Sequence, residues 1–283
     1  MKFKKLMTVL TFTLILFVGA FCAGLVGSLT GLGGGVIIIP LLTVILGVDL
    51  HYAIGTALVS VIATSSGSAA AYVKEGITNM RLGMFLEIAT TIGAIVGALL
   101  SAIAPSSYIA ILFGFVLMFN SINSLRKKEE HPVVQSSPLA IKLKLPSSYP
   151  SKNGPIAYGT KNVMGGFSMM GLAGVLSGLL GIGSGAFKVI AMDNIMKIPF
   201  KVSTTTSNFM MGVTATASAV IYLQKGYIEP AICMPVLIGV LLGAMAGARI
   251  LIRSNPKALR LFFALVILLL AFNMIYNGFK GNI

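Results

Sequence analysis

Two glycine-rich stretches offer backbone chemistry inside otherwise apolar sequence. The first is Gly31-Leu32-Gly33-Gly34-Gly35, and 181 − 31 = 150 positions later comes Gly181-Ile182-Gly183-Ser184-Gly185. Each stretch separates two apolar segments, so its glycines let the chain unwind and leave N–H groups unpaired at a helix start. Such a terminus carries roughly half a positive charge and free donors. We expect Gly33, Gly34 and Gly35, together with Gly183, Ser184 and Gly185, to hold a small anion.

One cation lies close to the second stretch. Lys188 follows Gly185 by three positions, within the apolar segment Ala186–Ala191. A lysine inside a membrane helix is costly unless it faces water, a counter-ion or a substrate. The alternative is that its ammonium group snorkels to the interface, but its position one turn into the helix limits this. We expect Lys188 to supply the positive charge of the anion site.

Polar side chains on two later segments are candidates for orienting the anion. Thr56, Ser60 and Thr64 recur every four residues and therefore share one helix face. In the second half Thr206 and Asn208 provide a hydroxyl and an amide. Such groups also join helices to each other in membranes. Opposite the glycine stretches, we interpret Thr56, Thr206 and Asn208 as site residues.

Two acidic residues are candidates for carrying a coupling proton. Glu87 lies about a turn and a half from Arg81, which favours an ion pair at a helix end. Asp193 follows Lys188 by five positions and either pairs with it or lies at the membrane interface. The sequence leaves open whether Asp193 or Glu87 is the carrier.

The composition is that of a membrane protein. Hydrophobic residues make up 56% of the 283 residues, charged residues 10%, and the mean hydropathy is +0.95. Soluble proteins carry about 25% charged residues. The net charge of +14 comes from cations in short inter-helix segments, as in cytoplasmic loops, so we expect no nucleic-acid partner. No catalytic signature is present, and Cys22 and Cys233 have no metal-ligand spacing. We expect no enzyme activity, no cofactor and no metal.

The chain divides into two apolar halves around a polar stretch. We predict a first transmembrane repeat at 1–125, a polar cytoplasmic linker at 126–161 without a core of its own, and a second repeat at 162–283. Although Met1–Lys5 and the apolar run after it resemble a signal peptide, that run has an internal twin, so we interpret it as a retained first helix. The predicted apolar segments are 6–29, 35–48, 52–73, 82–104 and 107–125, then 163–180, 186–198, 202–223, 231–252 and 258–278.

The two halves align without a gap at the offset of 150. Thr64, Ser68 and Tyr72 meet Thr214, Ser218 and Tyr222. An ungapped register of this length predicts a duplicated transporter-like core. If the basic loops 74–81, 126–161, 197–201 and 249–260 all face the cytoplasm, the repeats are inverted, at the cost of placing the basic N-terminus outside. Segments 35–48 and 186–198 are short for spans, so we expect half-helices and about eight to ten crossings.

The motifs resemble those of a known family. The run Gly24-Leu25-Val26-Gly27-Ser28-Leu29-Thr30-Gly31-Leu32-Gly33-Gly34-Gly35, extending to Pro40-Leu41, is similar to the first signature of the TauE/SafE sulfite-exporter-like permeases. The stretch from His51 to Gly76 resembles the second signature. Gly171 to Gly185, followed by Thr204–Asn208, resembles the repeat of this pattern in the second half. The resemblance implies transport of sulfite or sulfonates across a bacterial inner membrane, while related members handle small carboxylates. Ser184, Lys188 and Ile190 depart from the glycine and proline pattern of the first copy.

We therefore predict an all-α integral membrane protein with two inverted repeats of about five helical segments each and glycine-broken helices near the midplane. The predicted function is secondary transport of a small anion by alternating access, with the lipid bilayer and the anion as partners. Alternatives are a small-carboxylate permease and a non-transporting membrane assembly or accessory protein. A cation or metal permease is disfavoured, because acids in the apolar segments are few.

Overall fold

The computed structural model of the chain describes residues 9–30, 33–125, 135–151, 154–253 and 256–281. Gly31, the N-terminal residues Met1–Lys5 and residues 126–134 of the predicted linker, all used above, lie outside the described residues. The helices are α1 (Val9–Thr30), α2 (Gly35–Pro40), α3 (Leu50–Lys74), α4 (Met80–Ser101), α5 (Ser106–Leu125), α6 (Pro138–Lys142), α7 (Val163–Leu180), α8 (Gly185–Ile190), α9 (Phe200–Gln224), α10 (Pro230–Arg253) and α11 (Pro256–Lys280), and the strands are β1 (Ser147–Ser151) and β2 (Gly154–Tyr158).

The elements repeat at the offset seen in the sequence. Helices α2 and α8 begin 150 residues apart, and so do α3 and α9, α4 and α10, and α5 and α11. Each short helix, α2 and α8, continues into a π-helical turn, Leu41–Ile45 and Ala191–Ile195. Eleven residues span about 16 Å, roughly half of a bilayer's hydrocarbon core. The short apolar segments therefore form interrupted half-helices, as predicted.

Helices of one half pack against helices of the other through glycine. A Cβ added to Gly93 of α4 would lie 2.2 Å from the carbonyl oxygen of Gly171 in α7. At the equivalent contact, a Cβ on Gly243 of α10 would lie 2.0 Å from the carbonyl oxygen of Phe21 in α1. Backbones approach this closely only where neither helix carries a side chain between them. The pairs α1–α10 and α4–α7 therefore join the two halves crosswise.

The bundle has two distinguishable ends. At the hairpin end, defined by residues 77–81, 135–151, 154–161 and 196–201, the Asn79 amide donates to Thr206 Oγ1 at 3.1 Å and the Lys161 amide to Met196 O at 3.0 Å. At the tyrosine end, defined by residues 49–52, 101 and 222–227, His51 Nε2 lies 3.1 Å from Ser101 O. Helix α3 runs toward the hairpin end and α9 away from it, so these equivalent helices point in opposite directions.

The outer surface is apolar and the inner contacts are small or polar. On α4, Met84, Ile88 and Ile92 are 66%, 56% and 60% exposed, whereas Glu87 and Thr90 on the opposite side are buried. A helix of a water-soluble protein exposes its polar side chains and buries its apolar ones, so the reverse arrangement on α4 suits a lipid environment. Within the described residues, six helices are long and apolar enough to cross a membrane: α1, α3, α4, α5, α7 and α10. The chain is thus an all-α, multi-pass membrane protein.

Residues 135–151 and 154–161 of the predicted linker contain secondary structure and pack against the bundle, which their composition did not indicate. Helix α6 and the antiparallel hairpin β1–β2 form here, and Ala140, Leu145 and Tyr158 join a buried cluster with residues of α4 and α7. Asn79 holds the hairpin by donating from Nδ2 to Leu145 O and Tyr158 Oη, each at 2.9 Å. Burial raises the pKa of the Tyr158 hydroxyl, against the opposing effect of its hydrogen bonds with Asn79 and Ser147. Serine and proline composition hid these packing residues.

Candidate functional site

The two glycine loops meet at the centre of the bundle. A Cβ on Gly35 would lie 2.8 Å from the carbonyl oxygen of Gly181, so a side chain there would push the loops apart. Gly33 and Gly183 have φ of +81° and +67°, a conformation that glycine adopts without strain. Both approach Met211 on α9, whose repeat counterpart on α3 is Val61. The two glycine loops, which were expected to act together, therefore lie against each other in the structure.

Two polar groups beside the second loop lack a hydrogen-bond partner among the described residues. They are Ser184 Oγ and Asn208 Nδ2, and the two side chains are 1% and 2% exposed. Ser207 Oγ donates to Gly185 O at 3.1 Å, which brings α9 against the start of α8. Asn208 is the next residue of α9, and Ser184 immediately precedes α8. An unsatisfied buried polar group costs about 1–3 kcal/mol. These donors are therefore suited to a polar ligand.

Lys188 forms a buried ionic group with residues of two other helices. Its side chain is fully buried, and Nζ donates to Thr214 Oγ1 on α9 at 2.5 Å. Thr214 in turn donates to Glu87 Oε1 on α4 at 2.5 Å, and Lys188 Nζ lies 3.9 Å from Glu87 Oε2. Opposite charges held this close in an apolar interior offset part of each other's desolvation cost. A charged site therefore exists at the position predicted for Lys188, with an acidic partner.

The predicted ion pair between Glu87 and Arg81 is wrong. Six residues along an α-helix turn through about 600°, so these two side chains lie about 120° apart around α4. Arg81 is exposed at the hairpin end, where Nη1 donates to Lys144 O at 3.4 Å. Glu87 is buried and faces α8 and α9 instead. Asp193 is also buried, in the π-helical turn after α8, while the ion pair of Lys188 is with Glu87.

Two of the predicted site threonines bond to other parts of the bundle. Thr56 donates to Tyr52 O at 2.8 Å and accepts from Cys233 Sγ of α10 at 3.5 Å. Its neighbours Ile54 and Ala57 touch the glycine loops, since a Cβ on Gly181 would lie 2.7 Å from Ile54 Cγ2 and one on Gly35 would lie 3.4 Å from Ala57 Cβ. Thr206 is buried at the hairpin end, where its Oγ1 accepts from the Asn79 amide. Both threonines therefore join helices, the alternative that the sequence left open.

One residue of the charged group was not predicted as a site residue. Thr214 connects Lys188 to Glu87, and Thr91 adds a second donor to Glu87 Oε1 at 3.3 Å. The available signal was the repeat itself, because Thr214 is the counterpart of Thr64 while Lys188 and Glu87 correspond to Ile38 and Leu237. The two equivalent sets are therefore unequal. One contains Lys188, Glu87 and Thr214, and the other contains Ile38, Leu237 and Thr64.

Comparison with known proteins agrees with this architecture. Residues 16–274, which include both glycine loops and the charged group, match the family described as Sulfite exporter TauE/SafE. The chain belongs to the TauE/SafE family. Proteins of this TauE/SafE group are described as membrane transporters rather than enzymes.

Similar TauE/SafE proteins extend over nearly the whole chain. The chain is 28% identical to "Probable membrane transporter protein YunE" of Bacillus subtilis, covering 93% of this chain and 97% of that protein. It is 28% identical to "Probable membrane transporter protein YdhB" of the same organism, with 81% and 86% covered. For "Sulfite exporter TauE/SafE family protein 5" of Arabidopsis thaliana, the identity is 29% over 40% of this chain and 26% of that protein. No solved structure matches the chain.

Proposed function

We propose that this membrane transporter is a secondary permease for a small anion of the sulfite or sulfonate type, and that Lys188 binds the anion. The observation that carries the proposal is the fully buried ammonium group of Lys188, one turn into α8. Ser184 and Asn208, which have unpaired donor groups nearby, would hold the oxygen atoms of the anion. The Arabidopsis relative, which is named a sulfite exporter TauE/SafE family protein, supports the sulfur-anion class.

The glycine residues contribute through close approach. Gly33, Gly34 and Gly35 on one side and Gly183 and Gly185 on the other let the two loops come together beside Lys188, and their amides are proposed as further donors. Thr56 and Thr206 are left as helix contacts that keep α3 and α9 in register with α10 and α4. A planar or tetrahedral oxyanion with several acceptors fits such a set of donors better than a cation does.

Alternating access follows from burial together with the repeat. Lys188 and Ser184 are almost inaccessible, so an anion reaches them only after helices move apart. Because α1 packs on α10 and α4 on α7, the moving bodies we propose are these crossed pairs rather than the two sequence halves. Oppositely directed equivalent helices allow one such pair to open each end in turn, as in inverted-repeat transporters of a bacterial inner membrane.

Flux through proteoliposomes tests the proposal. The purified chain is reconstituted, and uptake is measured for radiolabelled sulfite, thiosulfate, methanesulfonate, acetate and pyruvate against protein-free liposomes. We expect saturable uptake of at least one sulfur anion. Preference for acetate or pyruvate would identify a carboxylate permease instead. If none of the anions moves under any gradient, the protein is an assembly or accessory component and the proposal is wrong.

A further inference from the structure

We propose that Glu87 is the coupling residue: a proton on Glu87 frees Lys188 to bind the anion, so that proton and anion cross together. This inference rests on the proposed function. Glu87 Oε1 is occupied by Thr214 and Thr91. Oε2, by contrast, is buried and has no hydrogen-bond partner among the described residues. It lies 3.9 Å from Lys188 Nζ. That oxygen is the open position for a proton.

Charge balance supplies the coupling. With Glu87 ionised and Lys188 protonated, the site is neutral. An added monovalent anion would leave one uncompensated negative charge in a low-dielectric interior, which is strongly unfavourable. When a proton enters with the anion, Glu87 becomes neutral and Lys188 becomes the partner of the anion. By linkage, anion binding then tightens as the pH falls, and proton binding tightens when the anion is present.

Among the charged groups that the structure describes around Glu87, none is placed as favourably to carry the coupling proton. Helix α7, packed along α4, contains no ionisable residue, and on α9 the neighbour is the Thr214 hydroxyl. Arg81 on the same helix lies at the hairpin end. From α8 and its π-helical turn come Lys188 and Asp193, and only Lys188 is within ion-pair distance of Glu87. Glu87 is therefore preferred over Asp193 as the proton carrier.

Hydroxyl groups give the proton a route to the site. Thr214, Ser218 and Tyr222 are spaced by four residues and share one face of α9. Ser218 donates to Ala94 O at 3.4 Å, and Tyr222 donates to Ser101 Oγ at 2.6 Å at the tyrosine end. This row of side chains lies on the part of α9 between the charged group and a crevice lined in part by Tyr222 and Tyr227. The proton is thus expected to enter from the tyrosine end.

The test separates anion exchange from proton-driven accumulation. Proteoliposomes take up whichever radiolabelled anion of the panel the wild type carries, first in exchange for the same unlabelled anion inside, then driven by an inward proton gradient. For the wild type we expect an inward gradient of about one pH unit to raise accumulation by about ten-fold, because one proton enters with each anion. Glu87→Gln, which resembles the protonated acid, keeps the exchange and loses the gradient-driven part. Asp193→Asn keeps both.

A matched pair of variants tests the hydroxyl bridge. Thr214→Val removes the link between Lys188 and Glu87, whereas Thr64→Val makes the same change at the equivalent position, where the counterparts are Ile38 and Leu237. We expect loss of gradient-driven accumulation only for Thr214→Val. Gradient-driven accumulation that survives in Glu87→Gln, or is lost in Asp193→Asn alone, would overturn the inference while leaving anion transport intact.

A measurement on the wild type keeps the inference testable if Glu87→Gln does not insert. The protein in detergent and weak buffer is mixed with the transported anion, and a pH dye records proton uptake. We expect about one proton per bound anion, because each added charge is compensated in the site. Binding without proton uptake contradicts the inference. If the wild type binds and carries no anion at all, the proposed function itself fails.

Discussion

Lys188 and Ile38 occupy equivalent positions in the two interrupted helices, and both side chains are fully buried. The same backbone setting therefore holds a cation in one half and a hydrocarbon in the other. Their partners differ accordingly, since Glu87 on α4 corresponds to Leu237 on α10. This difference provides internal controls for the charged group.

We expect Lys188→Met to abolish anion flux. Methionine is about as long as lysine but carries no charge. Removing one partner of a buried charged contact costs about 2–5 kcal/mol, or roughly 30-fold or more in binding. The control Ile38→Met introduces methionine at the equivalent position of the other half. It should keep flux within about three-fold of the wild type, since volume-conserving apolar changes are mild. Uptake is normalised to the amount of inserted protein. Normal flux through Lys188→Met would refute an anion-binding role.

We expect removal of one charge to destabilise the fold more than removal of both. Glu87→Leu leaves Lys188 buried and unpaired, which costs about 3–5 kcal/mol, while the double change Glu87→Leu with Lys188→Ile recovers most of that loss. Thermal unfolding is followed with a thiol-reactive dye in a Cys22→Ser background, where buried Cys233 is the remaining thiol. Equal melting temperatures for the single and double variants would show that the pair is not energetically coupled.

We expect alanine at a glycine contact between helices to destabilise the crossed packing. Gly93→Ala would place a methyl group 2.2 Å from a backbone oxygen of α7, and overpacking of this kind costs about 1–3 kcal/mol. Gly67→Ala on α3 meets its nearest neighbours at 3.5 and 3.9 Å, so it should be neutral or stabilise by about 0.5–1 kcal/mol. The dye assay compares the two, and equal stability would contradict close α4–α7 packing.

We expect Asn79→Ala to release the hairpin from the bundle. The substitution removes two donors to the hairpin and the α4 N-cap, in which Asn79 Oδ1 accepts from the Leu82 amide at 3.0 Å. Loss of such a cap alone costs about 0.5–2 kcal/mol. Limited trypsin digestion should then cut faster at Lys142 or Lys144 than in the control Asn277→Ala, whose partly buried side chain donates to Asn273 within α11. Unchanged cleavage would mean that other contacts hold the hairpin.

The repeat and its segments could be predicted because they depend on local sequence. Apolar runs bounded by glycine and basic residues gave the half-helices at 35–48 and 186–198, and the ungapped offset gave the pairing of elements. The partner of Lys188 could not be predicted in this way, since Glu87 is 188 − 87 = 101 residues away and their contact depends on how α4 crosses α8. The roles of Thr56 and Thr206 could not be predicted in this way either, because a threonine facing a helix and one facing a ligand look alike in sequence.

The hairpin was missed for a different reason. Its composition, rich in serine and proline, is typical of loops, and the few residues that pack, Ala140, Leu145 and Tyr158, are spread over nineteen positions (158 − 140 + 1). Their burial depends on α4 and α7, which lie on either side of them in the chain.

The crossed glycine contacts have a consequence for synthesis. While the ribosome is still producing the second half, α1 and α4 are already in the membrane without α10 and α7, and their glycine faces are exposed to lipid or to other helices. Since α10 is made after every other described helix except α11, α1 stays without its packing partner for most of translation. The first half cannot reach its final packing by itself, so the two halves expressed as separate chains should accumulate only when they are produced together.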